Sequence, residues 1–115
     1  MTQTPNDLVS AAKTMVPDIS VEDAKALHGT DGVVFLDVRE SAEVAGGKVA
    51  GAVAIPRGTL EWQTEALVGA ETVVVYCAAG GRAALAGATL KALGFDDVRN
   101  AGGFKDWVEA GGAVE

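Results

Sequence analysis

Val73-Val74-Val75-Tyr76-Cys77-Ala78-Ala79-Gly80-Gly81-Arg82 is the stretch that decides the fold. Four β-prone residues run into the only cysteine of the chain, and two alanines, two glycines and an arginine follow. The next run, Ala83 to Leu93, is rich in Ala and Leu and reads as a helix. A buried strand, a glycine-bearing loop and a helix start, in that order, make an anion cradle. Backbone N–H groups of the loop and of the first helical turn point at one spot, and the helix dipole favours negative charge there. A thiol placed at the start of such a loop is stabilised as its thiolate, the reactive form.

Outward from this stretch, Gly94 ends the helix and Asp97-Val98-Arg99 predicts a last short strand. Gly102-Gly103 predicts a tight turn, and Phe104 to Ala110 a final helix. On the other side, Thr59 to Leu67 reads as a helix capped by Thr59, and Ala52 to Ile55 as a strand closed by Pro56. Ser41 to Ala45 makes a short helix ended by Gly46 and Gly47. Before it, Val33-Val34-Phe35-Leu36 is a continuous apolar run suited to a strand covered on both faces. Asp37-Val38-Arg39-Glu40 stands at the carboxyl end of that strand, where ligands gather in open parallel sheets. Ser20-Val21-Glu22-Asp23 is a capping-box pattern opening a helix to about Leu27. Asn6 to Met15 reads as an N-terminal helix packed on the domain and ended by Pro17. The alternation predicts an α/β fold: an open parallel sheet of four to five strands with helices on both faces. Residues 1–17 are expected as a helical extension and 18–115 as the domain, with no internal repeat or linker.

At 115 residues and 49% apolar content the chain suits one globular domain with a core of its own. It contains no run approaching the ~18 apolar residues of a membrane span, and no signal-peptide layout at its start. A single cysteine forms no internal disulfide, so a free thiol and a reducing cytoplasm are expected. A net charge of −7 disfavours nucleic acid and acidic membrane surfaces as partners. The one histidine, His28, lies far in sequence from Cys77, so no metal site is expected and His28 reads as structural or solvated.

The pieces together resemble a single-domain rhodanese, a sulfurtransferase module. They are Asp37-Val38-Arg39-Glu40, the spaced Gly47, Gly51-Ala52 and Ile55-Pro56-Arg57-Gly58, the loop Cys77 to Arg82, and Gly94-Phe95 followed by Gly102-Gly103-Phe104 and Trp107. The resemblance covers roughly residues 18 to 115. It implies that the Cys77 thiolate takes the outer sulfur of a donor such as thiosulfate, becomes a persulfide, and passes the sulfur to cyanide or a thiol. The implied partners are thus a small anionic sulfur donor and a thiophilic acceptor, or a protein in either role; no cofactor is implied. Ala78, Ala79, Gly80 and Gly81 are small enough for the backbone to curl around a persulfide anion. An ionised nucleophile needs no side-chain base.

The bland reading of a cysteine after a strand is an inert, buried, small hydrophobe; the six-residue loop ending in Arg82 favours the reactive one. A cation at a helix start is unfavourable beside the dipole, which suggests that Arg82 is held there for an anion. Asp37 reads either as a turn cap or as a partner of Arg39 in the wall of the site, and Arg57 as a pocket residue or a surface one. Trp62, Phe104 and Trp107 read as core or pocket rim. Lys48, Ala50 and Ala83 depart from the family pattern, where histidine, proline and a hydroxyl residue are common. With Arg82 its only cation, the loop is expected to handle dianionic thiosulfate less well than a persulfide. Two other readings remain: a related cysteine phosphatase, whose loop has one more residue between Cys and Arg, and a non-catalytic binding module.

Overall fold

The computed structural model describes residues 2–115. Four strands form one parallel sheet: β1 (Val33–Asp37), β2 (Val53–Ala54), β3 (Thr72–Cys77) and β4 (Val98–Gly103), in the order β2-β1-β3-β4. β1 and β3 are the inner strands, and β3 is buried from Val73 to Cys77. That burial explains its unbroken apolar sequence, since both faces of a parallel sheet are covered. The helices are α1 (Pro5–Met15), α2 (Val21–Leu27), α3 (Ser41–Val44), α4 (Gly81–Ala92) and α5 (Phe104–Glu109).

Alternation along β3 sorts its side chains between two cores. Val73, Val75 and Cys77 face a cluster with Val16, Leu36, Leu60, Ala83, Ala86 and Leu90, on the side of α1 and α4. Val74 and Tyr76 face Ile19, Ala24, Phe35, Val49 and Trp107, on the side of α2 and α5. The period-2 rule therefore aims Cys77 at the side of the sheet where α4 begins.

The N-terminal helix starts one residue earlier than expected, at Pro5, with a reciprocal capping box between Thr4 and Asp7. It lies along α4 and buries Ala12 and Val16. A Cβ on Gly87 would come within 2.8 Å of Val16 Cγ2, so a glycine is what lets this approach happen. Ser20 caps α2 through the Asp23 N–H at 3.1 Å.

Three local expectations are corrected. Thr59 to Leu67 is not an α-helix but two 3-10 segments, Arg57–Trp62 and Thr64–Leu67, and Pro56 rather than Thr59 precedes the first. Only Leu60 and Leu67 of this stretch reach the core, and two anchors seven residues apart suit short tight turns as well as a helix. Trp62 is neither core nor rim but 77% exposed. Gly102-Gly103 is not a separate turn: both belong to β4, which runs four residues beyond Arg99 and leads directly into α5. Among the described residues no helix is long and apolar enough to cross a membrane.

Candidate active site

β3 delivers Cys77 to the carboxyl end of the sheet, and α4 starts four residues later. The Cys77 sulfur accepts the Gly80 N–H at 2.9 Å and the Ala83 N–H at 3.4 Å. The residue is 1% exposed, while Ala78 and Ala79 are open to solvent. The loop thus bends back over the sulfur, one donor from its crest and one from the first turn of α4. Two backbone N–H groups converge on the sulfur, and donors of this kind make their strongest hydrogen bonds to anions.

The bend depends on two glycines. Gly80 precedes α4 with φ +99°, a backbone conformation that side chains disfavour. Gly103 sits behind the loop, in register with Cys77, and a Cβ there would lie 2.4 Å from the Ala78 oxygen. A third brace comes from Asn100, which the sequence reading missed. Buried in β4, it donates from Nδ2 to the Gly80 carbonyl at 3.1 Å and accepts the Gly102 N–H through Oδ1 at 2.8 Å. An asparagine directly after the predicted strand Asp97–Arg99 and two residues before Gly102-Gly103 is the sequence signal for such a brace.

Arg82, in the first turn of α4, meets a carboxylate of its own chain. Its Nη1 and Nη2 donate to the two oxygens of Glu43 on α3, at 2.7 and 3.1 Å. These two hydrogen bonds, with a third from the Glu40 N–H, hold the Glu43 carboxyl down at about 2, and Glu43 in turn raises Arg82. The stabilisation from this pair is present above the ordinary carboxylate range and lost as pH falls toward about 2. Glu43 was not singled out from sequence, and its place three residues after Glu40 marks it only as a helix-start acid.

Asp37 and Arg39 form a buried pair: Arg39 Nη2 donates to Asp37 Oδ2 at 2.7 Å, and Nε reaches both carboxylate oxygens at 3.0 Å. Asp37 Oδ1 also accepts the Arg39 N–H at 2.9 Å, so it both caps the turn and holds the guanidinium. Arg39 donates to the Gly47 carbonyl at 2.6 Å and lies 4.3 Å from the Phe104 ring centre. With Nε and Nη2 engaged by Asp37 and Gly47, Arg39 ties the end of β1 to the Gly47 turn, on the face of the sheet opposite the Cys77 side chain. Arg57 turns away to Glu61 and to Thr89, two turns along α4 from Arg82. Its buried Nε has no hydrogen-bond partner among the described residues. His28, at the end of α2, hydrogen-bonds the Ala50 carbonyl at 2.7 Å and packs edge-on to Phe35 and Trp107, a structural position.

A cavity of about 540 Å³ is lined by Val68 to Glu71 and Leu93 to Asp96 at the amino ends of β3 and β4. It lies at the opposite end of the sheet from Cys77 and contains no nucleophile, so the loop and not this cavity is the candidate site. Among the described residues there is no group of three or more His, Cys, Asp or Glu able to hold a metal ion.

A parallel four-stranded sheet with a single cysteine loop at its carboxyl end defines a class, and comparison with known proteins gives its family. Residues 20–110 match the model of the rhodanese-like domain, and the chain belongs to that family. A "Sulfurtransferase" of Allochromatium vinosum is 31% identical over 99 residues, covering 84% of this chain and 92% of its own. A protein of Bacillus subtilis named as a candidate sulfur carrier, YrkF, is 34% identical over 94 residues, 80% of this chain. The match spans about half, 51%, of that relative's length. Among solved structures, a Rhodopseudomonas palustris protein of unknown function, described as a possible tyrosine phosphatase, superposes with a TM-score of 0.92 at 31% identity. That match covers 100% of this chain and 96% of the other.

Proposed function

We propose that this chain is a sulfurtransferase in which Cys77 carries the transferred sulfur as a persulfide. The observation that carries this reading is the Cys77 sulfur at the end of β3, held by the N–H groups of Gly80 and Ala83 at 2.9 and 3.4 Å. The names of the Allochromatium and Bacillus relatives support it. In the first step the thiolate attacks the outer sulfur of a persulfide or of thiosulfate. A new S–S bond forms at Cys77, the bond to the donor breaks, and the donor leaves as a thiolate or as sulfite with the electron pair. In the second step a thiol or cyanide, free or presented by a partner protein, attacks the terminal sulfur and returns the Cys77 thiolate. No net oxidant or reductant enters, because the sulfane sulfur moves at constant oxidation state. Between the steps, the persulfide anion takes over the loop N–H donors, assisted by the N-terminus of α4. Ala78, Ala79, Gly80 and Gly81 line the cradle, Arg82 closes it, and the Asp37–Arg39 pair braces the neighbouring end of β1.

The second reading is phosphoryl transfer, favoured by the description attached to the Rhodopseudomonas structure. The loop argues against it. Four residues separate Cys77 from Arg82, one fewer than in the related phosphatases. A phosphoryl group in flight has three equatorial oxygens to embrace, and a persulfide presents one terminal sulfur. Arg82, which would have to clamp those oxygens, is engaged at both terminal nitrogens by Glu43. The test compares two turnovers by the wild type and Cys77→Ser. Sulfur transfer to cyanide or a thiol is expected in the wild type and absent in the variant, with no significant hydrolysis of para-nitrophenyl phosphate by either. Steady aryl-phosphate turnover without sulfur transfer would favour the phosphatase. Absence of both reactions would favour a binding module.

A further inference from the structure

The ion pair between Arg82 and Glu43 gives the candidate site a charge that the loop does not have by itself. Between Cys77 and Arg82 the arginine is the only cation, and both of its terminal nitrogens donate to one carboxylate at 2.7 and 3.1 Å. The pair is about one-third exposed on each side, so it stands at the surface around the loop and not beneath it. Glu43 is itself held in place, because Oε1 accepts the Glu40 N–H at 3.0 Å at the start of α3. The charge of Glu40 also acts on Arg82. A donor arriving over Cys77 therefore meets a guanidinium already neutralised by one acid and flanked by a second, in a chain of net charge −7.

We propose that Glu43 is a specificity-determining residue that sets the site against doubly charged sulfur donors such as thiosulfate and in favour of singly charged ones, persulfides among them. The inference rests on the sulfur-transfer reading above. A bare Arg82 would attract a dianion more than a monoanion by one unit of charge. At about 4 Å in water that difference is worth roughly fivefold in binding. With Glu43 in place the guanidinium and carboxylate fields largely cancel, and the discrimination is lost.

The experiment compares thiosulfate with methanethiosulfonate. Both offer the same outer sulfur, and their leaving groups, sulfite and methanesulfinate, differ by one charge. The wild type and Glu43→Gln are assayed with each donor. Glutamine keeps the oxygen that accepts the Glu40 N–H, so the start of α3 is retained. The ratio of kcat/KM for thiosulfate to that for methanethiosulfonate is expected to rise about fivefold in Glu43→Gln, through a lower KM for thiosulfate. The gain should shrink as ionic strength rises to about 1 M, where screening acts within roughly 3 Å. Glu43→Ala, read in the same way, serves if Glu43→Gln loses its native circular dichroism. A ratio that stays constant or falls in a folded variant, or a rise that added salt leaves untouched, overturns the assignment. If neither donor adds sulfur to wild-type Cys77, the sulfur-transfer reading itself fails and the role of Glu43 falls with it.

Discussion

At the scale of single residues the site is built less from charge than from backbone placement. The sulfur of Cys77 is held by two N–H groups, and no side-chain base reaches it among the described residues. What keeps those N–H groups converged is a small set of close contacts: Gly103 behind the Ala78 carbonyl, and Asn100 bonded to the Gly80 carbonyl. Gly103→Ala tests this dependence, since its Cβ would lie 2.4 Å from a backbone oxygen that has no rotamer to give. The substitution should cost about 1–3 kcal/mol of stability, as overpacked sites do. It should lower sulfur transfer by roughly 10–100-fold through a displaced loop. Denaturant unfolding and donor kinetics measure the two effects, and wild-type values for both would show that the loop does not lean on β4. Some of this was legible in the chain and some was not. Cys77 and its loop stand out because a lone thiol, small residues and an arginine are adjacent in sequence. Asn100 and Glu43 were missed because their partners, Gly80 and Arg82, lie 20 and 39 residues away.

At the scale of elements, period and burial were readable where they were strong. β1 and β3 are continuous apolar runs and lie at their expected places. β2, at one edge of the sheet, has only two residues, fewer than the apolar run from Ala52 to Ile55 suggested. The run from Arg57 to Leu67 misled for a related reason: its core anchors, Leu60 and Leu67, are too few to distinguish an α-helix from two 3-10 turns. The junction of α1 with α4 makes a sharper test. Gly87 in the interior of α4 should be worse than alanine by about 1 kcal/mol in helix propensity. Its Cβ would nevertheless come within 2.8 Å of Val16 Cγ2 and 2.9 Å of Cγ1. Gly87→Ala alone is therefore expected to destabilise, because overpacking costs about 1–3 kcal/mol and outweighs the propensity gain. In a Val16→Ala background the obstruction is gone, and the same change should stabilise by up to about 1 kcal/mol. A double-mutant cycle followed by thermal unfolding reads that reversal of sign. Additive effects would mean that α1 does not bear on α4 at Gly87.

At the scale of the whole molecule, the sheet order places the Cys77 sulfur at the carboxyl end of an inner strand, in a chain of net charge −7. The order β2-β1-β3-β4 sets the end of β1 beside the end of β3, with Asp37 level with Tyr76 and the Asp37–Arg39 pair packed toward Tyr76 and Phe104, on the face of the sheet opposite the Cys77 side chain. That adjacency follows from topology and is invisible in any local pattern, as is the packing of the Asp37–Arg39 pair against Phe104. Arg57 illustrates the converse: it lies close behind a strand end, yet its side chain runs to Glu61 and Thr89, away from the loop. The central claim, that Cys77 carries sulfur, is met most directly by intact mass measurement after incubation with thiosulfate, methanethiosulfonate or a small-thiol persulfide. The wild type should gain the mass of one sulfur atom from at least one donor, lose it on addition of cyanide, and gain nothing as Cys77→Ser. A wild-type mass unchanged by every donor, or the same gain in Cys77→Ser, would contradict it.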